Sequence, residues 1–142
     1  MIHLIKLAVG SESVEMLQGW QAERRKRAGR LYHRTRMMPR RAEEITDGGS
    51  IYWVIKGLVQ ARQRVLAIER TLDEEGQAAT LLILDPKLLR TWPQPWQVFQ
   101  GWRYLAPEAA PADLDRARRK ATAGLAEMPP EMLAELRELG LL

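Results

Sequence analysis

Two histidines, three scattered carboxylates, one Gly-Gly-Ser step and a run of arginines interleaved with aromatics are the residues able to do chemistry in this chain. His3 sits in the apolar stretch 2–9, a setting that suits a hydrogen-bonded core histidine better than a ligand or a base. His33 lies among arginines, which lower the pKa of an imidazole and leave it neutral, able to stack but a poor cationic contact. Asp47, Glu69 and Asp85 fall near expected strand ends, where carboxylates could hold a metal for hydrolysis. No ligand spacing ties them together, so no metal, no cofactor and no catalytic residue is assigned. Gly48-Gly49-Ser50 is a candidate phosphate loop, since successive backbone N–H groups can cradle an anion. The simpler reading, and the favoured one, is two glycines absorbing the dihedrals between a helix and a strand.

The arginines carry more information. Between Arg24 and Arg64 there are twelve Lys and Arg side chains against Glu43, Glu44 and Asp47, a net of +9 in a chain whose total is +4. The remainder therefore carries −5, and an asymmetry of that size points to a partner rich in phosphates or another acidic surface. Five tryptophans and three tyrosines offer rings for stacking bases. The expected nucleic-acid-binding set is Arg34, Arg36, Arg40, Arg41, Trp53, Lys56, Arg62, Arg64, Trp102 and Arg103. Tyr52 and Trp53 alternate across their strand, so only one of them is expected in a core. Phosphate-loop, dinucleotide, zinc-protease and nucleophile-elbow signatures are missing. The absence of cysteine excludes disulfides, a thiol nucleophile and Cys-held zinc or iron–sulfur clusters.

These residues must be positioned by a chain of 142, which suits one domain with its own core. We divide it into an α+β core over 1–105 and a C-terminal helical extension over 106–142. The apolar run at the start is too short for a spanning helix and lacks a leader's pattern, so the expected location is cytoplasmic, with no membrane partner.

Residues 2–9 read as a buried strand closed by Gly10. A helix follows, capped by Ser11 or Ser13, with Val14, Leu17 and Trp20 as its apolar stripe and Gly29 as its stop. Leu31 to Met37 reads as a strand, and Pro39 as the first turn of a short helix ended by Asp47-Gly48-Gly49. Ser50 to Lys56 is rich in β-branched and aromatic residues, a strong strand. Gly57 marks a turn or bulge before a longer strand over about 58–70. Asp73 to Gly76 connects it to a central strand over 79–84. Thr91-Trp92-Pro93-Gln94-Pro95-Trp96 reads as a covering loop, and Phe99 to Leu105 as a return to the sheet. Pro111 and Pro129-Pro130 open two helices, the second striped by Met132, Leu133, Leu136 and Leu139.

The fold class that follows is α+β: a small, mixed, strongly bent sheet or open barrel, with flanking helices and a C-terminal helical pair. Three functions fit it. One is a module binding RNA or single-stranded nucleic acid, another a metal-dependent nucleic-acid hydrolase on the same basic face. The third is an interaction subunit, a homo-oligomer or a docking partner for another protein through 111–139.

The runs Asp47 to Gly57, Arg62-Gln63-Arg64 and Phe99 to Leu105, with the opening His3-Leu4-Ile5-Lys6-Leu7, resemble a small bacterial family, domain of unknown function 1489. That resemblance implies no activity. The layout of short helix, glycine, strand, long strand and hairpin is also similar to the ASCH and PUA-like RNA-binding barrels. Where ASCH domains carry a Glu and an Arg in the strand after the glycine, this chain has Trp53 and Ile55, so no role attached to those positions transfers.

Overall fold

The structure, a computed structural model, describes residues 1–97, 99–114, 130, 131, 134 and 137. Seven strands make one mixed sheet that does not close on itself. They are β1 (His3–Leu7), β2 (Tyr32–Thr35), β3 (Ser50–Ile55), β4 (Leu58–Leu72), β5 (Ala78–Leu84), β6 (Leu89–Pro95) and β7 (Trp102–Leu105). Neighbours run β2-β5-β4-β3-β1-β7, and β6 pairs with β4. Only β1 and β3 are parallel, joined by the crossover that holds α1 (Val14–Ala28), β2 and α2 (Ala42–Thr46).

Local chemistry accounts for the elements. The Ser13 hydroxyl accepts the Met16 N–H at 3.1 Å and caps α1, while Glu15 and the Arg25-Lys26-Arg27 end complement its dipole. Gly29 takes φ +80 and returns its N–H to the Arg25 carbonyl, a left-handed stop that a side chain would strain. The buried stripe of α1 is Val14, Leu17 and Gln21, not the expected Val14, Leu17 and Trp20. Trp20 stands one position off that line and is 49% exposed. Pro39 is buried in the connection ahead of α2 and does not open the helix, which starts at Ala42. Lys56 and Gly57, at φ 53 and 77, form the two-residue turn between β3 and β4, whose positive dihedrals match the twist of the paired strands.

Both faces of the sheet are covered. One carries Leu4, Ile51, Trp53, Ile55, Val65 and Leu82 under α1 and α2; the other carries Ile5, Tyr52, Val54, Val59 and Leu105. The chain after β7 passes over this second face, through a 3-10 turn (Pro107–Ala109), to reach β6, where Thr91 bridges Asp113 and Trp92 N–H donates to the Ala112 carbonyl. Hence β3 is buried along its whole length. Tyr52 and Trp53 are 4% and 3% exposed, so both are core, against the expectation of one.

The proline-rich segment is a strand, not a loop. Having no N–H, Pro93 and Pro95 are tolerated because β6 follows β5 along one side of β4 and has no strand beyond it among the described residues. Strand β5 lies between β2 and β4, as its lack of a polar face implies. The expected C-terminal helical pair lies mostly outside the described residues, of which Leu114, Pro130, Glu131, Ala134 and Arg137 are helical.

Candidate functional site

Lys6 is the polar residue of β1 that faces α1. Its register partners are Trp53 on β3 and Trp102 on β7, so one row across the sheet reads Trp102, Lys6, Trp53. His33 pairs with Leu82 on β5 and meets Trp53 edge-on, with ring centroids 5.4 Å apart. Lys6, His33 and Trp53, together with Ser11, Trp20 and Arg24, line a cleft of about 120 Å³ between α1 and the sheet.

One wall of the cleft is fully hydrogen-bonded. Gln21 and Gln63 exchange amide bonds at 2.7 Å, the Trp53 indole N–H donates to Gln63 Oε1 at 2.9 Å, and Gln63 Nε2 donates to the Asp85 carbonyl. Other groups are not so satisfied. Ser11 Oγ and His33 Nε2 are buried without a hydrogen-bond partner among the described residues. Burial, and then the charges of Lys6 and Arg24, pull the His33 pKa down to about 4, so the ring is neutral at pH 7. The arginine neighbourhood in the sequence foretells the direction of that shift but not its main cause. Burial also lowers the pKa of Lys6.

A second polar cluster lies on the opposite face. The Ser50 N–H donates to His3 Nδ1 at 3.0 Å, and the His3 ring meets Tyr52 edge-on at 5.0 Å. Arg62 donates from Nη1 to Ser50 Oγ at 2.8 Å and from Nε and Nη2 to both carboxylate oxygens of Asp113. Burial, Arg62 and the terminal amine lower the His3 pKa, and the bond to Asp113 raises that of Arg62. His3 is thus a hydrogen-bonded core histidine, and this cluster is internally satisfied.

The expected nucleic-acid contacts divide. Trp53 is core with its N–H engaged, and has no open face for a base. Arg62 is consumed by Asp113 and Ser50. Arg34 pairs with Glu74 on β2, at the far end of the strand order from β7, and Lys56 sits at the β3–β4 turn. Arg64 is exposed beside Ser50 in register. Gly48-Gly49-Ser50 has little to give a phosphate: the Gly49 N–H donates to the Ile45 carbonyl at 2.7 Å and the Ser50 N–H to His3. A Cβ on Gly49 would lie 2.2 Å from the Ile2 carbonyl oxygen, so close backbone approach explains that glycine.

What does come together surrounds β7, the last strand in the sheet order. Trp102 and Tyr104 pack edge to face with centroids 5.0 Å apart, Arg41 lies over the Tyr104 ring at 5.6 Å, and Trp102 Nε1 donates to the Met37 carbonyl. That bond holds the loop bearing Arg36 and Arg40 beside the aromatic pair. Neither arginine has an ion-pair partner among the described residues. On the opposite face of the strand, Arg103 lies over the Phe99 ring. The carboxylates stay apart: Glu69 pairs with Arg30, Asp85 accepts the Lys87 N–H, and Asp47 ends α2. No group of three candidate metal ligands occurs among the described residues.

An α+β sheet with an aromatic edge and a helix-covered cleft is the class these observations define. The chain belongs to the family described as a protein of unknown function (DUF1489), whose model matches residues 4–142. No curated protein and no solved structure matches it. The likeness of layout to ASCH and PUA-like barrels is not confirmed.

Sequence reasoning missed the cleft. Lys6 interrupting an apolar strand was the signal available, because a cation inside a buried strand needs a reason.

Proposed function

We propose that the protein binds single-stranded nucleic acid, RNA or DNA, along the β7 edge. The observation that carries this reading is the Trp102–Tyr104 pair on a sheet edge, flanked by Arg36 and Arg40, with Arg41 lying over the Tyr104 ring and ion-paired to Glu44. Stacking on such rings contributes about 1–3 kcal/mol per base and tolerates any sequence, since every base has a π-face. The Arg36 and Arg40 guanidiniums supply phosphate contacts, whose release of counterions makes binding salt-sensitive. Arg103, on the other face of the strand, extends the positive charge along the same edge. The core and ion-paired residues Trp53, Arg62 and Arg34 are left out of this surface.

Fluorescence anisotropy of a labelled oligouridylate tests it. Binding at low salt that weakens steeply as salt rises is the expected result. No binding of any RNA or single-stranded DNA at low salt overturns the reading.

A further inference from the structure

The α1 cleft carries an inference of its own. It has a half-buried cation in Lys6, a second cation in Arg24, and no carboxylate among the described residues that line it. Charges taken out of water are ordinarily paired, and buried polar atoms ordinarily have partners. Here both rules are broken at one place. Ser11 is 8% exposed, and its hydroxyl, like His33 Nε2, has no partner among the described residues. Ordered water could satisfy a hydroxyl and an imidazole, but it would not balance the charge of Lys6. An anion does both.

We propose that this cleft is a binding site for a small organic oxyanion, a carboxylate or a phosphate monoester. Its small volume, about 120 Å³, limits the buried part of the ligand to a head group and a short or flat body. Lys6 and Arg24 hold the anionic oxygens through charge-assisted hydrogen bonds. The Ser11 hydroxyl donates a further bond. The His33 ring, neutral at pH 7, donates to the ligand from Nε2 as its Nε2–H tautomer, without neutralising the ligand's charge. Trp20 and Trp53 supply apolar walls, the combination of a few placed polar groups with aromatic lining that small-molecule sites share. No residue of the β7 edge described above lines the cleft, so the two sites stand or fall separately.

The full chain should be titrated with inorganic phosphate, with acetate and with benzoate, following intrinsic tryptophan fluorescence and thermal midpoint. Saturable one-site binding of phosphate or of a carboxylate is expected. Whichever head group binds identifies the class, and benzoate binding more tightly than acetate shows that the walls hold a flat body. K6M should lose at least about tenfold in affinity. It should also melt at the same or a higher temperature than the parent protein without ligand, because it removes an unpaired, partly buried charge. A merely structural lysine would lower the melting temperature instead. S11A and the exposed-site variant R24Q, neither of which threatens the core, should each weaken binding several-fold and keep the result readable if K6M folds poorly. Absence of saturable binding by all three probes overturns the site. So does full-strength binding by K6M or, where that variant does not fold, by both S11A and R24Q.

Discussion

Arg62 and Asp113, fifty-one positions apart, meet fork to fork: Nε to Oδ1 at 2.7 Å and Nη2 to Oδ2 at 2.8 Å. Both side chains are largely shielded, and the pair ties the first half of β4 to the segment that covers the second face of the sheet. A bidentate, half-buried pair lies between surface pairs, which contribute ~0–1 kcal/mol, and fully buried ones, whose breakage costs ~3–5 kcal/mol. D113A should therefore cost about 2 kcal/mol in urea denaturation, because it leaves the Arg62 guanidinium desolvated with only Ser50 to bind. The pair replaced together, R62M with D113L, should recover most of that loss. A double variant as unstable as the sum of its singles would mean that the two side chains act independently.

Gly49 and Gly19 make opposite predictions. A Cβ at Gly49 would stand 2.2 Å from the Ile2 carbonyl oxygen and 2.5 Å from that of Ile45, both backbone atoms that cannot swing away. G49A should lose at least about 3 kcal/mol, the upper end of overpacking costs, and show a lowered melting temperature. Gly19 lies within α1 with nothing near its missing Cβ. G19A should gain about 0.5–1 kcal/mol by restricting the unfolded chain and favouring the helix. Equal effects at the two sites would contradict the close approach of α2 and β1 at Gly49.

Several of these relationships were legible in the sequence and others were not, for reasons that can be named. Ser50 to Ile55 announces itself through β-branched and aromatic residues, and Ser13 and Gly29 mark the ends of α1, because those signals are local. The fate of Tyr52 and Trp53 depended on whether anything covers the second face of the sheet, and Trp96, Phe99 and Ala110, which do so, lie far along the chain. Strand β6 was hidden because proline argues against a strand in general, and only the topology reveals that it lies at an edge. The cleft was hidden more deeply. Lys6, Ser11, Arg24, His33 and Trp53 come from five separate stretches, and no spacing in the chain joins them. The arginine cluster was visible as charge, but which members are neutralised depended on Glu74, Glu44 and Asp113.

Stability should fall in acid through His33. Its pKa is about 4 in the fold against 6.5 for the free side chain, so between those values the unfolded chain binds the extra proton. Folding stability is then complete above about pH 6.5 and is lost progressively as pH falls toward 4. The loss attributable to this side chain is about 3–4 kcal/mol at most, at ~1.36 kcal/mol per unit. The lowered pKa of His3 acts with the same sign. H33N should flatten the stability profile between pH 4 and 6.5 without abolishing it, and H33N combined with H3N should flatten it further, leaving the slope near its acid end to Glu44, Glu69 and Glu74, whose carboxyls Arg41, Arg30 and Arg34 hold below their ordinary value. Urea midpoints at pH 4.5 and 7 measure the difference. An unchanged slope in H33N would mean that the ring is not buried as a neutral group.

The nucleic-acid reading makes its sharpest claim through salt. Each phosphate contact adds ~0.7 to the slope of log affinity against log salt for a single strand. If Arg36 and Arg40 meet phosphates, R36A with R40A should lower the slope by about 1.4 while leaving the melting temperature unchanged, since both side chains are exposed and unpaired among the described residues. W102A should do the reverse. Stacking releases no counterions, so affinity should fall by about 1–3 kcal/mol at every salt concentration with the slope intact. Trp102 also holds the Met37 carbonyl, so W102F, which keeps a ring but loses that bond, separates stacking from loop placement. Binding retained by W102F but not by W102A would assign the ring itself. Generic attraction to a basic surface predicts something else: W102A would bind like the parent protein, and R34A or R64A would lower the slope as much as R36A does. That outcome would remove the β7 edge as the site, and the two arginines with it.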